Sequence, residues 1–177
     1  VVSSDDNNII NYAKSFNCGT IKRPLDISDD LSPDLDVFQH FLNNDTRDAD
    51  IIVHLRPTYP NRSVVFLDEC IRTFMHSDYD SLRTVVKQEK LPFKMYNIID
   101  NNLIPLFKSY ENIFEPYNQC RQLFPDCYLH NGCIDIVRSS IVKSGSMSGT
   151  KILPIVMEEN YDIDTIEDLE KSQENYK

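Results

Sequence analysis

The run Ile51-Ile52-Val53-His54-Leu55 limits the possible folds more than any other stretch. It is apolar except for His54, rich in β-branched residues, too short for a helix, and stopped by Arg56-Pro57. A run without polar alternation fits a strand covered on both faces, so we expect a central strand of a parallel sheet. Helical spacing flanks it on both sides. Before it, Leu35, Phe38, Phe41 and Leu42 share one stripe behind Ser32-Pro33, with proline at the first helical position. After it, Val64, Leu67, Ile71 and Phe74 share a stripe behind Ser63, which is placed to cap the helix. A strand alternating with helices implies an α/β fold with helices on both sides of the sheet.

The rest of the chain mostly keeps this rhythm. Val1-Val2-Ser3-Ser4 reads as the end of a strand, and Asp5 onward as a helix carrying Ile9, Ile10, Ala13 and Phe16 and stopping near Gly19. Residues 23–31 read as a polar loop and 80–86 as a strand. Residues 131–142 read as another strand, 143–149 as a flexible connector rather than a phosphate-binding loop, and 151–157 as a strand. Thr165-Ile166-Glu167-Asp168 has the form of a capping box opening a last helix, frayed from Lys171. The middle, 91–128, breaks the rhythm. It has four prolines and many large apolar residues, among them Phe93, Tyr96, Leu103, Phe107 and Phe114. These need cover, which a partner chain supplies economically.

With 177 residues the chain suits one domain, 1–177, with a single sizeable core. A net charge of −10 and a pI near 4.7 argue against nucleic acid as a partner. A small anion needs only a few local cations. No apolar run is long enough to span a bilayer and no signal-peptide pattern is visible. Five irregularly spaced cysteines read as reduced thiols of a cytoplasmic protein, and neither they nor the four scattered histidines suggest zinc.

Asp162 and Asp164 fall between the 151–157 strand and the last helix. In extended backbone, residues two apart point to one side. Two carboxylates facing one spot suit Mg²⁺, which takes one or two carboxylates together with phosphate oxygens. The alternative is a solvated acidic corner. Ligands of open α/β sheets bind beyond the carboxyl ends of strands, which brings Arg56, Thr58 and Arg62 to the same region.

Four motifs, in order, resemble the acylneuraminate (CMP-sialic acid synthetase-like) cytidylyltransferases. They are Val1-Val2-Ser3-Ser4-Asp5; Leu55-Arg56-Pro57-Thr58-Tyr59-Pro60-Asn61-Arg62; Arg121-Gln122 through Pro125 and Tyr128 to Asn131-Gly132; and Asp162-Ile163-Asp164-Thr165. The resemblance runs from Val1 to about Lys171. It implies a three-layer αβα, nucleotide-diphospho-sugar transferase-like (Rossmann-like) fold with a mostly parallel sheet. It implies transfer of CMP from CTP to an acidic nine-carbon sugar, with pyrophosphate released. It also implies a homodimer in which 91–128 is a dimerisation and sugar-binding arm.

By the same resemblance Asp162 and Asp164 hold Mg²⁺, and Arg121 reaches from the arm to a sugar carboxylate in the neighbouring subunit, completing the catalytic set. Arg56, Ser3, Gln122, Asn131 and Gly132 line the substrates. The alternatives are a surface cation for Arg56 and Arg121, a plain turn at Gly132, and helix capping by Ser3 and Ser4.

Two departures bear on the sugar. Leu129 and Asp135 stand where the sialic-acid enzymes often have arginine and tyrosine. A third concerns the triphosphate. The family's opening strand and its R-x-G-S-[KR] loop have no counterpart here. The expectation is therefore an N-terminally incomplete domain, inactive alone. A non-catalytic binding or assembly module is the rival reading. A metal-dependent glycosyltransferase is a second, which the 121–132 motif disfavours.

Overall fold

The computed structural model describes residues 1–174. Sequence-predicted fraying from Lys171 onward falls partly outside them; up to Glu174 the segment is helical.

The main sheet has four strands: β3 (Ile51–His54), β4 (Ser81–Gln88), β9 (Cys127–Arg138) and β10 (Ile152–Met157), in the order β10-β4-β9-β3. β10 and β4 pair in parallel, while β9 runs antiparallel to both β4 and β3. Three strands thus share one direction, and their carboxyl ends come to one edge. β1 (Val2–Ser4) and β2 (Thr20–Lys22) form a separate parallel pair around α1 (Asn7–Ser15). The sequence reading did not anticipate β2.

Helices cover both faces. On one, α3 (Val64–Met75) sets Cys70 and Phe74 against Leu82, Ile134 and Ile136, all buried. On the other, α2 (Asp34–Asn44) and α4 (Ser139–Lys143) pack Phe38 and Val142 on Val137. The α/β three-layer expectation holds. Ser63 caps α3 by accepting from Phe66 N, as the sequence suggested. Asp6 caps α1, accepting from Asn8 N and Ile9 N, so that role does not fall to Ser3 or Ser4. The α1 helix ends at Ser15 and turns through Asn17 in the left-handed region (φ 57°), before Gly19.

Two strand expectations need correction. β3 is an edge strand of the main sheet and each of its residues is half-buried. The strand buried on both faces is β9, continuously from Asn131 to Val137. Asn131, Gly132 and Asp135 interrupt its apolar pattern, so the sequence does not advertise it. β9 also begins four residues before the expected strand and ends at Arg138, where the chain turns into α4.

The 91–128 arm contains two hairpins, β5 (Tyr96–Ile99) with β6 (Asn102–Pro105) and β7 (Ser109–Tyr110) with β8 (Ile113–Phe114). It has a small core of its own: Leu91, Phe93 and Phe124 are buried, with Tyr110, Ile113 and Cys127 packed on them. Phe93 stacks on Phe124 with ring centroids 4.7 Å apart. The arm's apolar content is therefore only partly in need of external cover.

Candidate active site

Two loops meet beyond the shared carboxyl edge, one after β3 (residues 55–63) and one between β10 and α5 (Ile166–Glu174). Ile163 N donates to Thr58 O at 2.9 Å, and Tyr161 N to Tyr59 Oη at 3.3 Å. Asn61 Nδ2 reaches Ser172 Oγ on α5 at 2.8 Å. The capping box forms reciprocally at the start of α5: Asp168 N donates to Thr165 Oγ1 at 3.2 Å, and Thr165 N to Asp168 Oδ2 at 3.1 Å. Hydrogen bonds from Thr165 hold the Asp168 carboxyl below its usual pKa despite the opposing effect of partial desolvation.

Asp162 and Asp164 lie in this corner, Asp162 half-buried and Asp164 exposed. Asp162 Oδ1 is buried and takes no hydrogen bond from the protein. A buried, unpartnered carboxylate oxygen is costly unless a cation or donor satisfies it. Among the described residues no group of three or more His, Cys, Asp or Glu converges to hold a metal. An ion here would take most of its oxygens from phosphate and water, which is how Mg²⁺ is commonly held. The residues present fit such an ion.

Beside Asp162 lie Tyr59 and Arg62. Burial, then the neighbouring Cys133 and Asp162, push the Tyr59 phenol far above its ordinary pKa, so it is a neutral hydroxyl. Burial also lowers the pKa of Arg62, and the Tyr59, Cys133 and Asp162 side chains oppose that shift. Its guanidinium sits 5.6 Å from the Tyr59 ring centroid and donates to the backbone oxygens of Arg56 and Cys133.

β9 carries a large bulge. Arg83 pairs with Asp135 and Val85 with His130, so Asn131 to Ile134 bulge opposite Thr84 alone. Thr84 Oγ1 pairs the backbone groups that the bulge takes out of the ladder, accepting from Ile134 N at 3.1 Å and donating to Ile134 O at 3.3 Å. Asn131 is buried and braces the bulge, its Oδ1 accepting from Cys133 N at 3.3 Å. Gly132 has φ +66°, and a Cβ there would come within 2.8 Å of Arg56 Cδ. Glycine is thus required both by backbone conformation and by the Arg56 side chain lying against it.

The bulge brings together His130 and Asp135, which a regular strand would place on opposite faces. His130 Nε2 lies 2.7 Å from Asp135 Oδ1. Arg56 Nε is 3.5 Å from Asp135 Oδ2, and Arg83 Nη1 is 3.9 Å from Asp135 Oδ1. Arg56 Nη2 also pairs with Asp34 Oδ2 at 2.9 Å. The Asp135 side chain is only 12% exposed. Burial pushes its pKa up, but His130 and the charges of Arg83 and Arg56 outweigh it, leaving the carboxyl below its usual range.

Of the expected site residues, the fold gathers Arg56, Asn131 and Gly132, and links them through Arg62 and Tyr59 to Asp162. Arg121 and Gln122 stand exposed in a short turn of the arm. Ser3 lies on β1, where its carbonyl accepts from Arg23 Nη2 at 2.9 Å. Among the described residues none of these three hydrogen-bonds to the Arg56–Asp162 group. Asp34, Tyr59, Arg83 and His130 were not expected there, and Asp135 stood out only as a departure from the family pattern. These residues come from four separate segments, α2, the loop after β3, β4 and β9, and no local spacing brings them together. The 143–151 connector is tied to the start of β4. Thr150 N and Lys151 N both donate to Asp80 Oδ2, at 2.8 and 2.9 Å.

No family model matches the chain. By sequence it is similar to N-acylneuraminate cytidylyltransferase A of Danio rerio, 24% identical over 175 residues. That match takes in 96% of this chain and 38% of the relative, so the chain spans well under half the length of the curated relative it matches. By fold it is similar to a CMP:2-keto-3-deoxy-manno-octonic acid synthetase complexed with CTP, with a TM-score of 0.67 and 14% identity, covering 99% of this chain and 79% of that one. It is also similar to 4-diphosphocytidyl-2C-methyl-D-erythritol synthase from Anaerococcus prevotii, with a TM-score of 0.58 and 10% identity, covering 97% and 77%. Motif order and sequence similarity both point to the acylneuraminate cytidylyltransferases as the family this chain resembles, and the two solved structures share its fold.

Proposed function

We propose that this chain forms part of a cytidylyltransferase that moves CMP from CTP to an acidic, sialic-acid-like sugar and releases pyrophosphate. The observation that carries the reading is the corner where Asp162, with its unpartnered buried oxygen, meets Arg62 and the Arg56 loop at the carboxyl edge of the sheet. The name of the Danio rerio relative supports the reading, as do those of the two solved neighbours.

In this reading Asp162 and Asp164 hold Mg²⁺. When bound, the ion supplies charge neutralisation for the phosphates of CTP. The chain's own residues then position and screen. Arg62 adds positive field beside Asp162. Arg56, fixed by Asp34 and Asp135, presents its remaining donors toward the substrate region. Asn131 and Gly132 shape the bulge on which Arg56 rests. Arg121 and Gln122, on the arm, serve the sugar: a guanidinium grips a carboxylate through two parallel hydrogen bonds. Ser3 lies near the nucleotide.

The arm joins two copies into a homodimer, which gives Arg121 a neighbouring site to enter. Support for that assembly comes from apolar side chains left open on the hairpins, with Ile98 76%, Leu103 65% and Phe114 73% exposed. We place the protein in the reducing cytoplasm, consistent with cysteines that are all free. Among the described residues no helix is long and apolar enough to cross a membrane.

The non-catalytic module remains the second reading. It is favoured by Asp34 and Asp135, which already pair with Arg56 and, for Asp135, also with Arg83. A pyrophosphate-release assay on the full-length protein separates the two. It should use CTP, Mg²⁺ and a panel of carboxylated eight- and nine-carbon sugars. Release that depends on both CTP and one such sugar is the expected result. No release with any sugar, alongside retained CTP binding, would favour the module.

A further inference from the structure

Asp162 is held in place by its neighbours' backbone rather than by its own side chain. The residue before it, Tyr161, gives its N–H to Tyr59 Oη, and the residue after it, Ile163, gives its N–H to Thr58 O. Both ties run to the loop after β3. Tyr59 is fully buried although it lies in a loop. A buried tyrosine needs a partner for its hydroxyl. Here the hydroxyl lies against the Cys133 side chain, inside the β9 bulge. Its ring packs edge-on to Tyr161, with centroids 6.5 Å apart, and beneath the Arg62 guanidinium. Arg62 closes the arrangement by donating to Cys133 O and Arg56 O. One side chain thus joins three segments: the loop after β3, the bulge that carries His130 and Asp135, and the loop that carries Asp162.

We propose that Tyr59 is a positioning residue, which fixes the Asp162 carboxylate as a divalent-cation ligand by tying the Tyr161–Ile163 backbone to the loop after β3 and to the β9 bulge. The proposal rests on Asp162 being such a ligand and adds a role for a residue that touches neither ion nor substrate. Its physical basis is geometric. Mg²⁺ demands near-ideal octahedral placement of its oxygens, so a ligand on a loop must be held still. Asp162 Oδ1 has no protein donor of its own to orient it. Groups behind the ligands of a metal site commonly set its affinity.

The test uses Mn²⁺ as the probe, followed by electron paramagnetic resonance on this chain, together with hydrogen exchange of the Tyr161 amide. Four proteins are compared: wild type, Tyr59→Phe, Tyr161→Phe and Asp162→Asn. Tyr59→Phe keeps the buried ring and removes only the acceptor oxygen. It should raise the Mn²⁺ Kd roughly tenfold, the low end of the usual effect of such supporting groups, and speed exchange at Tyr161. Tyr161→Phe keeps the N–H and loses a hydroxyl that bonds only exposed Glu159, so it should behave as wild type. An unchanged Kd in Tyr59→Phe, with binding lost in Asp162→Asn, overturns the proposal. Fast exchange of the Tyr161 amide in the wild type overturns it too, without recourse to any variant. Full Mn²⁺ binding by Asp162→Asn instead removes the reading of Asp162 on which the proposal stands.

Discussion

Asp135 sits between three donors and is almost dry, so its charge state is tied to folding. Its folded pKa lies below the ordinary carboxylate value of about 3.9. A depressed pKa contributes stability above the unfolded value and loses it as pH falls through the folded one. Asp135→Asn should therefore lower stability by about 2 kcal/mol at neutral pH, the scale of hydrogen bonds to a charged group. The gap between mutant and wild type should close progressively below about pH 4. Thermal melts of both proteins across that range check it; a gap independent of pH would mean that Asp135 acts through shape rather than charge.

Asp164 is exposed, and its replacement should leave the fold alone. Asp164→Asn is expected to abolish turnover of the full-length protein without moving its Tm by more than about 1 °C, since surface changes stay within about 0.5 kcal/mol. Turnover within a few-fold of wild type would deny it a role at the metal. Arg121→Ala should raise KM for the sugar far more than KM for CTP, by a factor corresponding to roughly 2–4 kcal/mol. Equal effects on both substrates would make Arg121 structural.

At the scale of elements, β9 organises the site. It lies antiparallel between β4 and β3, and its four-residue bulge makes the strand a bracket carrying His130, Asn131 and Asp135. The bracket depends on Thr84, whose hydroxyl serves both backbone groups of Ile134. Thr84→Val keeps the volume but strands a buried N–H, and should cost about 1–3 kcal/mol. Chemical denaturation measures this; a loss below about 0.5 kcal/mol would mean that the bulge holds by register alone. The helices α1, α2, α3 and α5 and the caps Ser63 and Thr165 could be read in the sequence, because a stripe at helical spacing and a Ser or Thr before it are local signals. The residues of α4 read as strand, and Pro33, expected as the first helical residue, stands just before α2. The bulge could not be read. Asn131-Gly132 looks the same in a turn, and only the pairing with β4 shows that Asn131 to Ile134 bulge out.

At the scale of the whole molecule, the arm bears the proposal of assembly. Its inner apolar residues cover one another, and its outer ones, Ile98, Leu103 and Phe114, face outward. A two-fold contact through the hairpins would cover them. Light scattering at micromolar concentration should report a dimer, and Ile98→Glu with Leu103→Lys should convert it to a folded monomer. A monomeric wild type would leave Arg121 without a neighbouring site to enter.

Composition and periodicity determined the α/β class and the helices on both faces. The motifs also carried the family resemblance and the pair Asp162 and Asp164. Those features rest on local chemistry: burial stripes, caps, and residue types in a fixed order. The sequence misjudged which strand is central, because an apolar run such as 51–55 records how hydrophobic a segment is, not how many neighbours it has. β9 is buried on both faces despite its polar residues, since Thr84, Asn131 and the arginine–aspartate pairs satisfy them internally. Only the tertiary structure joined Asp34, Tyr59, Arg83, His130 and Asp135 to the site. Ion pairs and hydrogen bonds between segments far apart in the chain leave no periodic trace, so their partners become known only when the sheet brings the strand ends to one edge.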